Sequence, residues 1–210
     1  MQITAAPKAA KPISEEDQLR VQLYKLLGAL LAREPNPETL QIIRNLQGDD
    51  SDFGKAFQQL AGQADKFNQK TITQEFNALF IGMGRGELVP YGSYYLTGFL
   101  NEKPLAKLRN SMRDLGITRA DDVKEPEDNI GSLMEMMAGL IEGLFTEPAD
   151  QQTQMQFFQQ HIGNWAPHFF KDLEKAEMAH FYRPVGAIGR MFMEIEEAQF
   201  AMDGEGGPRS

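Results

Sequence analysis

The sequence predicts an all-α protein, and three observations support that. Apolar residues recur at three- and four-residue spacing through most of the chain. Short polar side chains, prolines and glycines stand where such stretches should begin and end. Nowhere do apolar and polar residues alternate over several positions, as a half-buried strand requires. With 210 residues, 41% of them hydrophobic, and no internal repeat, the chain has material for one sizeable helical domain or two small packed ones. The expectation is a bundle of roughly nine to eleven helices.

The elements follow in order. Residues 1–13 hold Lys8 and Lys11 but no apolar run of the length a signal peptide or membrane span needs, and they read as a disordered tail. Ser14 with Asp17 three residues on reads as a helix start, followed by Leu19, Leu23, Leu26, Leu27 and Leu30 at helical spacing. Pro35 and Pro37 stop that helix. A short helix over 38–46 ends at Gly48, and an acidic turn leads into a third over 53–67. A fourth over 71–80 is broken by Gly82, Gly84 and Gly86. Residues 91–100 are apolar and aromatic, and a helix there would align Tyr91, Tyr95 and Phe99 on one face with Tyr94 beside it. Pro104 opens the next helix and Gly116 closes it.

Residues 117–129 contain five acidic residues and Pro126 without apolar periodicity, and so read as a hinge between an N-terminal helical lobe, 14–116, and a C-terminal one, 130–203. Beyond it Ile130, Leu133, Met134, Met137, Ile141 and Leu144 follow helical spacing, with Asp128 or Asn129 as the N-cap. Helices over 149–162, 165–178 and 184–202 complete the bundle, and 204–210 reads as a second disordered tail.

Composition excludes several classes of function. There is no cysteine, so disulfides, thiolate zinc sites and cysteine nucleophiles are out, and the cytoplasm suits the chain. Lys and Arg total 21 against 30 Asp and Glu, a net charge of −9 that opposes nucleic-acid binding and steers in basic partners. His161, His168 and His180 lack the spacing of a helical metal pair. The Gly82–Gly86 loop resembles a phosphate cradle but lacks the Lys-Ser/Thr that should follow it and the strand that should precede it. Glu125, Glu127 and Asp128 read as a solvated turn, as a cradle for a cationic peptide, or as a general acid and base. The methionines near Met134 and Met137 read as core filling or as a pliant apolar groove. Tyr91 and Tyr95 read as core or as an interface with one wet side.

Three segments, TQEFNALFIG at 73–82, VPYGSYYLTG at 89–98 and EPEDNI at 125–130, together resemble signatures of the TorD/DmsD/NarJ family of redox-enzyme maturation proteins. TQEFNALFIG stands for the family's acid-aromatic-x-x-Leu-Phe-x-Gly, VPYGSYYLTG for its Pro-Tyr-x-Ser-x-Tyr-Leu, and EPEDNI, Glu125 to Ile130, for its Glu-Pro-x-Asp-His-Ile. WAPHFFKDLEKAEMAHFYRPVGAI extends the likeness through the last two helices, so that it spans 15–202. Asn129 replaces the family's histidine, which removes a titratable side chain but keeps capping and hydrogen bonding. The resemblance implies a TorD-like helical bundle that is not an enzyme. It also implies binding to the twin-arginine signal peptide and the apo form of a molybdenum-cofactor enzyme, an amine or sulfoxide reductase or a formate dehydrogenase. The chaperone would aid cofactor insertion and delay export until maturation.

On that implication Asp128, with Glu125 or Glu127, meets the arginines, and Tyr91, Ser93 and Tyr95 with Met134 or Met137 meet the apolar part of the peptide. Pro90 and Pro126 hold the segments in shape, beside Asn129. No metal and no resident cofactor are expected, weak guanine-nucleotide binding aside, and neither nucleic acid nor stable membrane insertion. The resemblance also implies a monomer or a domain-swapped dimer. The rival readings are an assembly factor that binds the client's core without its leader, as the NarJ-like branch does, and a small hydrolase using Asp128 and Glu125.

Overall fold

The computed structural model describes residues 13–82, 86–119 and 125–205. These form α1 (Glu15–Leu31), α2 (Pro37–Arg44), α3 (Asp52–Lys66), α4 (Gln69–Phe76) with a π turn (Asn77–Ile81), α5 (Gly92–Thr97) and α6 (Lys103–Asp114). Then come α7 (Ile130–Glu142), α8 (Gln151–His161), α9 (Ala166–Lys175) and α10 (Tyr182–Glu205). Among the described residues there is no strand, only an isolated bridge between Tyr91 and Asn129, so the all-α expectation holds. No described helix is long and apolar enough to cross a membrane.

Side-chain caps set most of the helix starts. Ser14 accepts from the Asp17 amide at 3.0 Å, Asn36 from Thr39 at 2.8 Å, Ser51 from Gly54 at 3.0 Å, Asn68 from Thr71 at 2.9 Å and Asp150 from Thr153 at 2.8 Å. Each such cap is worth about 1 kcal/mol. Where the chain departs from the pattern, a local cause is visible. The helix expected over 91–100 ends at Thr97 because Gly98 takes a left-handed φ of 82° and its amide closes on the Tyr94 carbonyl. Phe99 therefore leaves the face shared by Tyr91 and Tyr95 and is 70% exposed. Leu19 and Leu144, counted toward the core by spacing, are also exposed. The buried face of α1 runs instead through Arg20, Val21, Tyr24, Leu27 and Leu31. At the C-terminal end, α10 continues through Glu205, beyond the expected stop.

A single hydrophobic cluster draws on both sides of residues 117–129, with α1 packed on α7 and α10 packed on both α3 and α9. α1 and α7 cross where Gly131 faces the α1 C-terminus: a Cβ on Gly131 would lie 2.2 Å from the Ala32 amide nitrogen, so only glycine permits this approach. The two expected lobes thus share one core, and residues 120–124 of the expected hinge lie outside the described residues.

One buried polar network ties three helices together. Arg20 on α1 forks onto Glu196 of α10 at 2.7 and 2.8 Å, and also reaches Asp17 at 2.7 Å and Gln154 of α8 at 2.8 Å. The Tyr24 hydroxyl donates to Glu196 at 2.7 Å. Every charge in the network has partners, the condition for burying ions at tolerable cost.

Candidate functional site

The first motif turns out to be a clamp. Glu75 of TQEF is 8% exposed, and its carboxylate accepts from the amides of His180, Phe181 and Tyr182 at 2.8, 3.1 and 2.8 Å. It thereby satisfies the otherwise unpaired donors at the start of α10. Phe76 and Phe80 pack against Tyr182, with ring centroids 6.0 and 5.3 Å away. The Gly82 amide closes the π turn on the Asn77 carbonyl at 2.7 Å, with Gly82 at a φ of 58°. Met83, Gly84 and Arg85, the middle of the loop considered for phosphate, lie outside the described residues.

The other two motifs are stitched to each other. The Ile130 amide donates to the Pro90 carbonyl and the Gly92 amide to the Asp128 carbonyl, both at 2.9 Å, which sets Tyr91 opposite Asn129. Asp128 Oδ2 accepts from the Ser93 amide at 2.7 Å, and Asn129 caps α7 by accepting from Gly131 at 2.9 Å. The N-termini of α5 and α7 are therefore fixed side by side. Asn129, which stands where the family has histidine, fills the cap with an oxygen acceptor.

This stitch corrects part of the expected site. Asp128 is 3% exposed and Ser93, Met134 and Met137 are fully buried, so none of the four presents a side chain to a ligand. The cavity beside Asp128 is about 10 Å³, room for one water molecule and not for a guanidinium. Asp128 Oδ1 and Ser93 Oγ are buried without a protein hydrogen-bond partner. Met134 and Met137 sit on the α7 stripe that faces the core.

Of the remaining candidates, Glu127 and Asn129 are also buried, at 8% and 6% exposed, while Tyr91, Tyr95, Glu125 and Pro126 keep an outward aspect. Tyr91 is half-buried and donates from its hydroxyl to Glu125, which is exposed. Burial, then that carboxylate, pushes the Tyr91 hydroxyl well above its ordinary pKa, so it remains a donor. Tyr95 stacks near Trp165, 5.4 Å between centroids, and donates to Asp172 at 3.0 Å. Pro126 shapes the turn, its carbonyl accepting from the Asn129 amide at 3.2 Å. Glu127 is held by Arg109 through Nε at 3.0 Å and Nη2 at 2.8 Å, with Arg119 Nη1 at 3.8 Å. Burial pushes its carboxyl up, but the Arg109 hydrogen bonds and charge, aided by Arg119, hold it below the ordinary range.

Glu125 and Glu127 border an open pocket of about 230 Å³ between α6, α7 and the segment after α6. Glu135 of α7 is the third carboxylate on its rim, and Arg119 lies among the three. Met112, Ile117, Met136 and Phe145 supply apolar lining, with Leu144 at the exposed edge. Glu135 also pairs with Arg33 at 2.6 Å. Carboxylates above an apolar floor suit a ligand that is cationic at one point and apolar beside it. Sequence reasoning missed Glu135, although it is the lone acid in the apolar run 130–141 and a signal was there to be read.

The histidines are dispersed. His161 bonds Ser111 at 2.8 Å, and burial, then Lys107, lowers its pKa to about 4, so it is neutral near pH 7. Among the described residues no group of three or more His, Asp or Glu side chains is placed to hold a metal ion.

The family model for the nitrate reductase delta subunit matches residues 46–171, a span that contains all three motifs and the whole pocket. The chain belongs to the TorD/DmsD/NarJ family of redox-enzyme maturation chaperones. The chaperone protein TorD of Aliivibrio salmonicida is 25% identical over 201 residues, covering 86% of this chain and 94% of its own. A protein of Haemophilus influenzae named as a Tat proofreading chaperone, DmsD, is 28% identical over 183 residues, covering 80% of this chain and 86% of its own. A crystal structure described as that of a redox enzyme maturation protein from Archaeoglobus fulgidus shares the fold with a TM-score of 0.57 at 18% identity, over 90% of this chain and 99% of that one. The protein is a maturation chaperone and not an enzyme, which removes the hydrolase reading of Asp128 and Glu125.

Proposed function

We propose that this chaperone binds the twin-arginine leader of a molybdenum-containing redox enzyme in the pocket between α6 and α7. Bound there, the leader is kept from the export machinery until the client has its cofactor, and the chaperone acts in the cytoplasm. The observation behind this reading is the meeting of Glu125, Glu127 and Glu135 with the apolar Ile117, Met136, Leu144 and Phe145 around one opening. A leader that joins paired arginines to an apolar stretch presents the complementary pattern. The names of the relatives support it: one is a Tat proofreading chaperone.

Calorimetry with synthetic leaders from the molybdoenzymes of the source organism tests the proposal, using the same leaders with both arginines changed to alanine as controls. Binding that needs the arginines supports it, and names the client. Equal binding of the alanine versions, or none of any leader by folded protein, overturns it.

A second reading is favoured by a different feature. Leu96, Phe99 and Leu100, at and just beyond the C-terminus of α5, are 41%, 70% and 45% exposed and lie outside the pocket lining. Exposed apolar residues grouped this way suit contact with a folded client. Client binding that survives deletion of the leader but falls on Phe99→Ser favours recognition of the enzyme core.

A further inference from the structure

A second surface, on the side of the bundle formed by α3, α9 and α10, has the opposite charge. An open cleft of about 820 Å³ runs along the α9–α10 seam, and a smaller one of about 280 Å³ continues it along α3, sharing Gln59, Arg183 and Pro184. Along α10 the lining residues Arg183, Ala187, Arg190 and Glu194 recur at helical spacing, so the groove follows a helix axis. Pro167, Pro184 and Ala187 give it small apolar surfaces.

Its charges are unevenly matched. Arg190 bridges Glu174 at 2.9 Å and Glu194 at 3.1 Å. Lys66, Lys171, Lys175 and Arg183, all exposed, form no ion pair among the described residues, and His168 and His180 border the same space. In a chain of net charge −9, a groove in which four unpaired cations accompany Arg190 and only two carboxylates is a local reversal of sign. Such a field attracts anions and holds apart the basic ligand that suits the acidic pocket.

We infer that this groove docks an acidic amphipathic segment of a protein partner, laid along α10 with carboxylates toward Lys66, Lys171, Lys175 and Arg183. The cations stand on three helices along the groove and not around one point, which favours an extended polyanion over a compact one such as a phosphate group. The small apolar surfaces between them admit the apolar stripe of a helix. A nucleic acid would carry its charge into the field of a strongly acidic protein, whereas a short acidic segment meets mainly the local cations.

The probe is a fluorescein-labelled synthetic amphipathic helix about five turns long, with glutamates flanking a leucine-alanine stripe. Anisotropy is read on the full chain at low and at physiological ionic strength. The inference expects binding that weakens with salt, and that weakens at least about tenfold, some 1.4 kcal/mol, when glutamine replaces glutamate in the probe or when the chain carries Lys171→Glu, Lys175→Glu and Arg183→Glu. Arg183→Glu alone, at the junction of the two clefts, should act in the same direction by about threefold, and circular dichroism should show each variant folded. Equal binding by folded variants overturns the inference. So does equal affinity for the glutamine probe, full displacement by inorganic phosphate at matched concentration, which makes this a small-anion site, or tighter binding of a single-stranded oligonucleotide.

Discussion

Two sets of carboxylates in this protein are bonded in different ways. Glu75 and Asp128 lie inside, and their oxygens accept from main-chain amides: Glu75 from three at the start of α10, Asp128 from Ser93 at the start of α5. Glu125, Glu127 and Glu135 border a pocket, and their partners are side chains: Tyr91, Arg109 with Arg119, and Arg33. A main-chain amide cannot swing away, so an acid bonded to it is part of the scaffold. A long side chain on the rim can be exchanged for an incoming guanidinium at little net cost. Family motifs include acids of both kinds, and the partner type, which sequence does not display, separates them.

Substitution of Glu75 should test the scaffold half most severely. Glu75→Ala leaves three amides at a buried helix start without their acceptor, for a loss of about 3–5 kcal/mol and a melting temperature lower by roughly 10 °C. Thermal unfolding measures this, and a loss under about 1 kcal/mol would move Glu75 out of the scaffold. Asp128→Ala removes one acceptor and also an unpartnered buried oxygen, so the expected loss is smaller, about 1–2 kcal/mol. If Asp128→Ala abolishes leader binding while leaving stability intact, the assignment of Asp128 to the scaffold is wrong.

These cases also mark how far the sequence could be read. Helix positions were legible because caps such as Ser14 and Asn129 and the stripe on α7 are local signals. The three motifs were legible as a family signature, and Glu125 and Glu127 do border the pocket. Burial was not legible for Asp128 and Ser93, because it depends on which helix lies above them, here fixed by the Pro90–Ile130 stitch and the crossing at Gly131, whereas Met134 and Met137 fit the core-filling reading that their place on the α7 stripe offered. Glu135 was overlooked for the converse reason: an acid inside an apolar run looks like solvated decoration until Ile117 and Phe145 are seen beside it.

On the exchangeable half, Glu125→Gln with Glu135→Gln should weaken leader binding about tenfold while changing stability by less than about 1 kcal/mol. Calorimetry and thermal unfolding read the two quantities separately, and equal damage to both would erase the distinction between the two sets. Glu127 shows intermediate behaviour, and acid should expose it. Its folded pKa lies below the unfolded one, so its stabilisation is complete above the unfolded value of about 4.3 and is lost as pH falls through the lowered folded value. Arg109→Ala should therefore lose less stability than the parent on acidification through that window, as followed by denaturant unfolding at a series of pH values.

The smallest expected effect is also the most specific to the comparison. Arg119 reaches Glu127 at 3.8 Å while nearly half of its side chain remains exposed, so it occupies the rim as a weak internal substitute for a ligand arginine. Glu127 itself is buried, but a 3.8 Å contact to a cation this open to water contributes only about 0.2–1 kcal/mol. An incoming guanidinium must displace it or share its carboxylate. Arg119→Ala should then tighten leader binding by about two- to threefold, and mostly for leaders that keep both arginines, because an alanine-substituted leader has no claim on Glu127. Weaker binding on Arg119→Ala would mean that the arginine supports the pocket's shape, and Glu127 would move to the scaffold beside Glu75 and Asp128.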